Sequence, residues 1–177
     1  MTNKKILNAE STSRHGIKFK SKLESMCFDV LFNEGLNPQY EPRKIILIDG
    51  FKPLTPFYDK ETNSEHNKNV KKIGKPYTRK LVLQDKKVIA ITYTPDIYIN
   101  YKNIDIWIEC KGFENDCFYL KKKLFRRYLD NLFLTTGKRS IYFEVYTKNQ
   151  LMQAIEIFKE YEKGIKWNIL ESRWTYI

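Results

Sequence analysis

The stretch Ile91–Phe113, "ITYTPDIYINYKNIDIWIECKGF", decides the fold. Two runs rich in Ile, Tyr and Trp flank the polar pair Lys102-Asn103, which is the pattern of two antiparallel strands joined by a two-residue turn. With that turn, Ile97 faces Ile108, Ile99 faces Ile106 and Tyr101 faces Ile104. One face is then apolar along its whole length, as a buried sheet face must be. On the other face Tyr98 meets Trp107, an aromatic cross-strand pair. The same register sets Asp96 opposite Glu109, with Lys111 on the same face. Opposed residues have Cβ atoms about 5 Å apart, and like charges there destabilise a sheet. A divalent cation between the two carboxylates would offset the repulsion, and hard oxygen ligands suit Mg²⁺ or Mn²⁺. Lys111 beside them could orient a water or stabilise developing negative charge. The plain alternatives are a strand-entry aspartate after Pro95 and an exposed Glu109–Lys111 ion pair.

Working outward, "SKLESMCFDVLFNEG" reads as a helix with Ser21 as N-cap and Gly35 as its stop. Glu24 stands three residues after Ser21, the capping-box spacing. It also shares a face with Phe28 and Leu31, so it reads either as a cap partner or as a buried acid that needs a partner of its own. "YEPRKIILIDGF" holds a strand near 43–48. Residues 49–80, with Pro53, Pro56 and Pro76 and the polar run "DKETNSEHNKNVKK", read as a long loop or irregular hairpin insertion. Strands follow near 80–84 and 87–94. After Gly112 a helix over about 117–135 presents Leu120, Leu124, Tyr128, Leu129 and Leu132 as its apolar face. "KRSIYFEVYT" reads as a buried strand. Thr147 and Gln150 open a last amphipathic helix ending near Gly164, and the tail "WNILESRWTYI" is expected to add a strand. Residues 1–17 read as polar and loose. Helix, strands, helix, strand, helix is the order of an α/β or α+β domain with a mixed sheet flanked by helices, and the 177 residues suit a single domain.

Net charge is +11, and 25 of the 32 basic residues are lysine. The excess favours a polyanionic partner such as DNA, although an AT-rich coding style alone produces a lysine bias. Lys122, Lys123, Arg126 and Arg127 recur four apart on the helix after the Glu109–Lys111 strand. They make either a solvated face or a phosphate-gripping one. Cys27, Cys110 and Cys117 have no metal-finger spacing, and their odd number suits a reducing, cytoplasmic setting. No run is long and apolar enough for a membrane span, and "MTNKKILNAE" lacks the apolar core of a signal peptide.

"TPD", twelve residues, then "ECK" resembles the PD-(D/E)xK nuclease superfamily. The flanks "HGIKFKSKLES", "YEPRKIIL", "ITYTPDIYI" and "IECKGFENDCFYLKKKLF" look like successive blocks of phage endonucleases related to endonuclease I and Holliday-junction resolvases. The resemblance runs from about His15 to Phe125, and the 49–80 insertion falls outside it. It implies a restriction-endonuclease-like core and a metal-dependent DNA endonuclease leaving 5′ phosphates. Asp96, Glu109 and the backbone carbonyl of Cys110 would hold Mg²⁺, with Mn²⁺ as a substitute. Glu24 would complete a site for a second ion, and Lys111 would position the attacking water. Branched DNA such as a Holliday junction is the implied substrate, in a phage-infected host cell. Two cuts per junction would suit a homodimer. A transposon-end or restriction-type nuclease, and a non-catalytic nucleic-acid-binding or virion-associated protein of the same fold, are the rival readings.

Overall fold

The computed structural model describes residues 11–75, 77–112 and 116–162. In chain order the elements are β1 (Thr12–Arg14), β2 (Ile17–Phe19), α1 (Lys22–Asn33), β3 (Gln39–Tyr40), β4 (Ile45–Ile48), β5 (Phe57–Lys60), α2 (Asn63–Ile73), β6 (Leu81–Gln84), β7 (Ile91–Tyr93), β8 (Ile97–Tyr101), β9 (Ile104–Cys110), α3 (Asp116–Thr136), β10 (Ser140–Val145) and α4 (Lys148–Glu162). The class is mixed α+β. Two compact units divide the chain: Met1–Ile45 with Thr92–Ile177, and Ile46–Ile91.

The first unit is built on a four-stranded sheet of order β10-β9-β8-β3. β9 pairs antiparallel with β8 and parallel with β10, and β3 is antiparallel to β8. The β8–β9 register is the one the apolar pattern requires: Ile97↔Ile108, Tyr98↔Trp107, Ile99↔Ile106, Tyr101↔Ile104. Lys102 and Asn103 both have positive φ, 47° and 67°, the signature of the type I′ turn whose twist matches paired strands.

On the isoleucine face, Ile97, Ile99, Ile106, Ile108 and Val145 pack with Cys27, Phe28 and Leu31 of α1 and with Leu151, Ile155 and Phe158 of α4. Each such side chain contributes about 1.5–3 kcal/mol when fully buried. On the opposite face α3 inserts Phe125, whose ring centroid lies 5.8 Å from Trp107 and 5.2 Å from Tyr142. β9 is therefore buried along its whole length. The apolar seam of α3 is Phe118, Phe125 and Leu129 rather than one that includes Leu120, which is exposed. The aromatic at 125 wins because its ring reaches the sheet.

Two segments differ from their sequence reading. Residues 12–17, part of the 1–17 segment expected to be loose, form the β1–β2 hairpin together with Lys18 and Phe19. Within 49–80, expected to be a long loop or an irregular hairpin insertion, a regular helix, α2, stands between the paired strands β5 and β6. Thr62 and Glu65 close a complete capping box at its N-terminus, and Gly74 ends it at φ 78°. Its caps mark that helix in the chain, and periodicity does not, since α2 has no buried residue. In this second unit β5 and β6 pair antiparallel. The expected end of α4 near Gly164 and the strand over the tail lie outside the described residues.

Candidate active site

Asp96 immediately precedes β8, so the β8–β9 register carries it to the level of Glu109. Both carboxylates are buried, Asp96 at 8% exposure and Glu109 at 2%. The Cys110 backbone N–H donates to Asp96 Oδ2 at 2.8 Å, and the Glu41 N–H donates to the Asp96 carbonyl at 2.8 Å. These bonds fix the residue from both sides. Glu109 Oε1 is ion-paired with Lys111, and Glu109 Oε2 accepts the hydroxyl of Tyr93. Tyr93 in turn lies 3.3 Å, oxygen to oxygen, from Tyr142. The Lys111 N–H donates to the Val145 carbonyl at 2.9 Å, which extends the sheet through the lysine. Its ammonium lies 4.4 Å from the centre of the Phe118 ring.

Burial raises the Asp96 carboxyl most, and the Glu109 charge adds to it; the Cys110 N–H and Lys111 oppose without cancelling, leaving it at about 8. Glu109 is also raised, by burial, against the pull of Lys111 and Tyr93. Burial depresses the Lys111 ammonium, but Glu109, Asp96 and Glu24 outweigh it and the net shift is upward. The centre is thus two carboxyls that resist joint ionisation and one lysine held charged by both.

Glu24 performs both of its sequence-level roles. Its backbone N–H donates to the capping Ser21 hydroxyl. Its side chain, 7% exposed, accepts from Tyr40 Oη at 2.5 Å, Ser21 Oγ at 2.9 Å and the Lys20 N–H at 3.1 Å. Asp96 and Lys111 both feel its charge. α1, β8 and β9 therefore bring Glu24, Asp96, Glu109 and Lys111 to one neighbourhood. The carboxylate donors are hard oxygens, and the Lys111 ammonium already stands as a cation on Glu109. Among the described residues, no three Asp, Glu, His or Cys side chains gather into a ligating array, because each carboxylate is turned to a protein donor.

No family model, curated protein or solved structure matches this chain.

The α3 residues Lys122, Lys123, Arg126 and Arg127 do not behave alike. Lys122 is half-buried and pairs with Glu144 at 2.9 Å. Lys123, Arg126 and Arg127 are exposed, with the Lys123 ammonium 4.1 Å from the centre of the Tyr119 ring. Among the described residues no helix is long and apolar enough to cross a membrane. Sequence reasoning missed Tyr93, Tyr40 and Tyr142, the hydroxyls around the carboxylates. Tyrosine is common in strands for packing alone, and only the fold aims Tyr93 and Tyr40 at acids and sets Tyr142 against Tyr93.

Proposed function

We propose that this chain is a metal-dependent DNA endonuclease of the PD-(D/E)xK type, with a restriction-endonuclease-like core, cutting branched DNA such as a Holliday junction. The observation that carries the reading is the buried Asp96–Glu109 pair, two like charges at one level of a hairpin with Lys111 on the same face. A fold that needed only stability would not place two acids there.

In this reading Asp96, Glu109 and the Cys110 carbonyl hold Mg²⁺ or Mn²⁺, and Glu24 stands ready for a second ion. A metal bound there would supply charge stabilisation to an in-line displacement. Lys111 gives up Glu109 Oε1 and turns its ammonium to the attacking water, holding it in line with phosphorus. As the water oxygen bonds phosphorus and releases its proton to solvent, the bond to the 3′ oxygen breaks; that oxygen takes a proton from solvent to become a 3′ hydroxyl, and the 5′ phosphate stays on the product. The exposed Lys123, Arg126 and Arg127 of α3 grip the phosphate backbone, whereas Lys122 serves Glu144.

The test is cleavage of an end-labelled four-way junction and a matched linear duplex, with Mg²⁺ or Mn²⁺ and with Lys111→Ala as control. Metal-dependent cutting that disappears in the variant supports the nuclease, and the junction-to-duplex ratio assigns the substrate class. One observation favours a second reading, a non-catalytic DNA-binding protein: the carboxylates are already satisfied by protein donors. Salt-sensitive binding of both DNAs without cutting would select it.

A further inference from the structure

The unit Ile46–Ile91 carries ten basic residues and five acids, and the candidate active site uses none of them. Between His66 and Gln84 there are six basic residues and no acid. One side of α2 is held to its own unit by a buried acid. Glu61, 5% exposed, accepts from Asn69 Nδ2 at 2.9 Å and from Tyr77 Oη at 2.8 Å. The His66 ring lies 5.0 Å, centroid to centroid, from that of Tyr77. His66, Asn69 and Val70 on this side are half-buried. The other side carries Ser64, Asn67, Lys68, Lys71 and Lys72, spaced i, i+3, i+4, i+7 and i+8, and all five are exposed. Among the described residues no carboxylate pairs with Lys68, Lys71 or Lys72, nor with the exposed Lys75 just beyond the helix. Lys71 and Lys72 lie in the last turn, where the helix dipole favours a cation, but Lys68 lies outside it.

We propose that this outward face of α2 is a DNA-binding surface that grips the phosphate backbone of a duplex without reading its sequence. The face has no apolar side chain, so it lacks the anchors of a protein interface and the insertion face of a membrane-bound helix. Ammonium groups set among hydroxyl and amide donors are the composition that holds phosphate oxygens. Lys68 and Lys72 stand about 6 Å apart along the helix axis, close to two phosphate steps of about 3.4 Å on one strand. The opposite side of the helix is tied to Glu61 and Tyr77, so the lysines are presented outward by the fold and are not needed to build it. The inference shares its DNA partner with the reading above and uses nothing of the acidic centre.

The experiment is fluorescence anisotropy of a labelled linear duplex titrated with the full chain in EDTA, over a series of NaCl concentrations. Wild type is compared with the triple variant Lys68→Gln, Lys71→Gln, Lys72→Gln and with the same three positions changed to Arg. A third triple, Lys18→Gln, Lys44→Gln, Lys148→Gln, removes the same charge from exposed lysines of the other unit. Glutamine is about as good a helix former as lysine, and circular dichroism checks the fold of each chain. The α2 glutamine triple is expected to bind any duplex more weakly and to lower the slope of log affinity against log salt by about 2–3. The arginine triple is expected to keep the wild-type slope, and the triple in the other unit to change it by less than about 1. An unchanged slope in the α2 glutamine triple overturns the proposal. So does an equal loss in the other triple, which would mean that net charge alone sets binding. If the α2 glutamine triple misfolds, Lys68→Gln decides: a slope lowered by about 1 supports the proposal, and an unchanged slope overturns it. A wild-type chain that binds no duplex removes the DNA reading together with this inference. A chain that binds through α2 and cuts nothing when Mg²⁺ is added leaves this inference standing and removes the nuclease.

Discussion

Two buried acids stand on the same face of β9, Asp105 near one end and Glu109 near the other, about 13 Å apart along the strand at the usual rise per residue. Their surroundings are opposite. Asp105 is fully buried beside an opposite charge: Lys138 pairs with Oδ2 at 2.8 Å, and Oδ1 accepts from Tyr98 at 2.7 Å and from Asn100, its cross-strand neighbour, at 3.1 Å. At the other end Glu109 meets Asp96, a second acid, and both carboxyls are pushed upward. One end of the strand uses a carboxylate to hold the hairpin together. At the other, Lys111 and Tyr93 hold Glu109 while a second buried acid, Asp96, stands at its level; under the proposed function that pair of acids would receive a cation.

The comparison breaks most sharply by mutation at its two ends. Asp105→Ala removes an ion pair and two charge-strengthened hydrogen bonds and is expected to lower stability by about 3 kcal/mol, leaving any Mn²⁺-induced rise in melting temperature intact. Chemical denaturation with and without Mn²⁺ checks both halves of that statement. Lys111→Ala is the reverse case. Cleavage is expected to fall by about 10²–10³-fold with no comparable loss of fold, read from single-turnover rates on labelled DNA. Glu109→Gln should abolish the Mn²⁺-induced rise while making the metal-free chain no less stable than wild type, since one of two repelling charges is gone. A Glu109→Gln chain that melts well below wild type without metal would show that Glu109 is as structural as Asp105.

The upward shifts set a pH dependence of definite sign. Asp96 is raised by burial and then by Glu109 to about 8, so the folded chain binds a proton that the unfolded chain has already released. The stability linked to that proton is complete below the ordinary carboxylate range and is lost as pH rises through about 8. The metal-free melting temperature should therefore fall across this window, and Asp96→Asn should flatten the slope. Saturating Mn²⁺ should flatten it too, because a bound cation takes the proton's place. The smallest effect concerns DNA. Replacing Arg126 or Arg127 with Ala should weaken binding uniformly over sequences and lower the salt slope by about 1 for each phosphate left without its guanidinium. Lys122→Ala should leave that slope nearly unchanged, since its ammonium serves Glu144.

Much of this was legible in the chain. A strict two-residue period on both sides of Lys102-Asn103 admits one register, because a one-residue slip would turn every isoleucine to the wrong face. That register, and with it the Asp96–Glu109 opposition, followed from the residues alone. So did the start of α1 at Ser21 and of α4 at Thr147, because caps are local chemistry: the Gln150 N–H donates to Thr147 Oγ1 as the spacing anticipates. The helix α2 was equally local, but with Val70 and Ile73 its only apolar residues it offered no apolar stripe to read.

Only the tertiary structure decided the rest. Whether Lys122 meets a phosphate or a carboxylate depends on Glu144 of β10, twenty-two residues on, which parallel pairing brings beside Glu109. Whether Tyr93 is packing or a donor depends on which atom lies at its hydroxyl. A strand's period specifies the face on which a side chain stands, because that is set by neighbouring peptide units. What stands opposite across a crossover or from a packed helix is set by residues remote in sequence, and so the acids of this centre could be read from the chain while the hydroxyls that hold them could not.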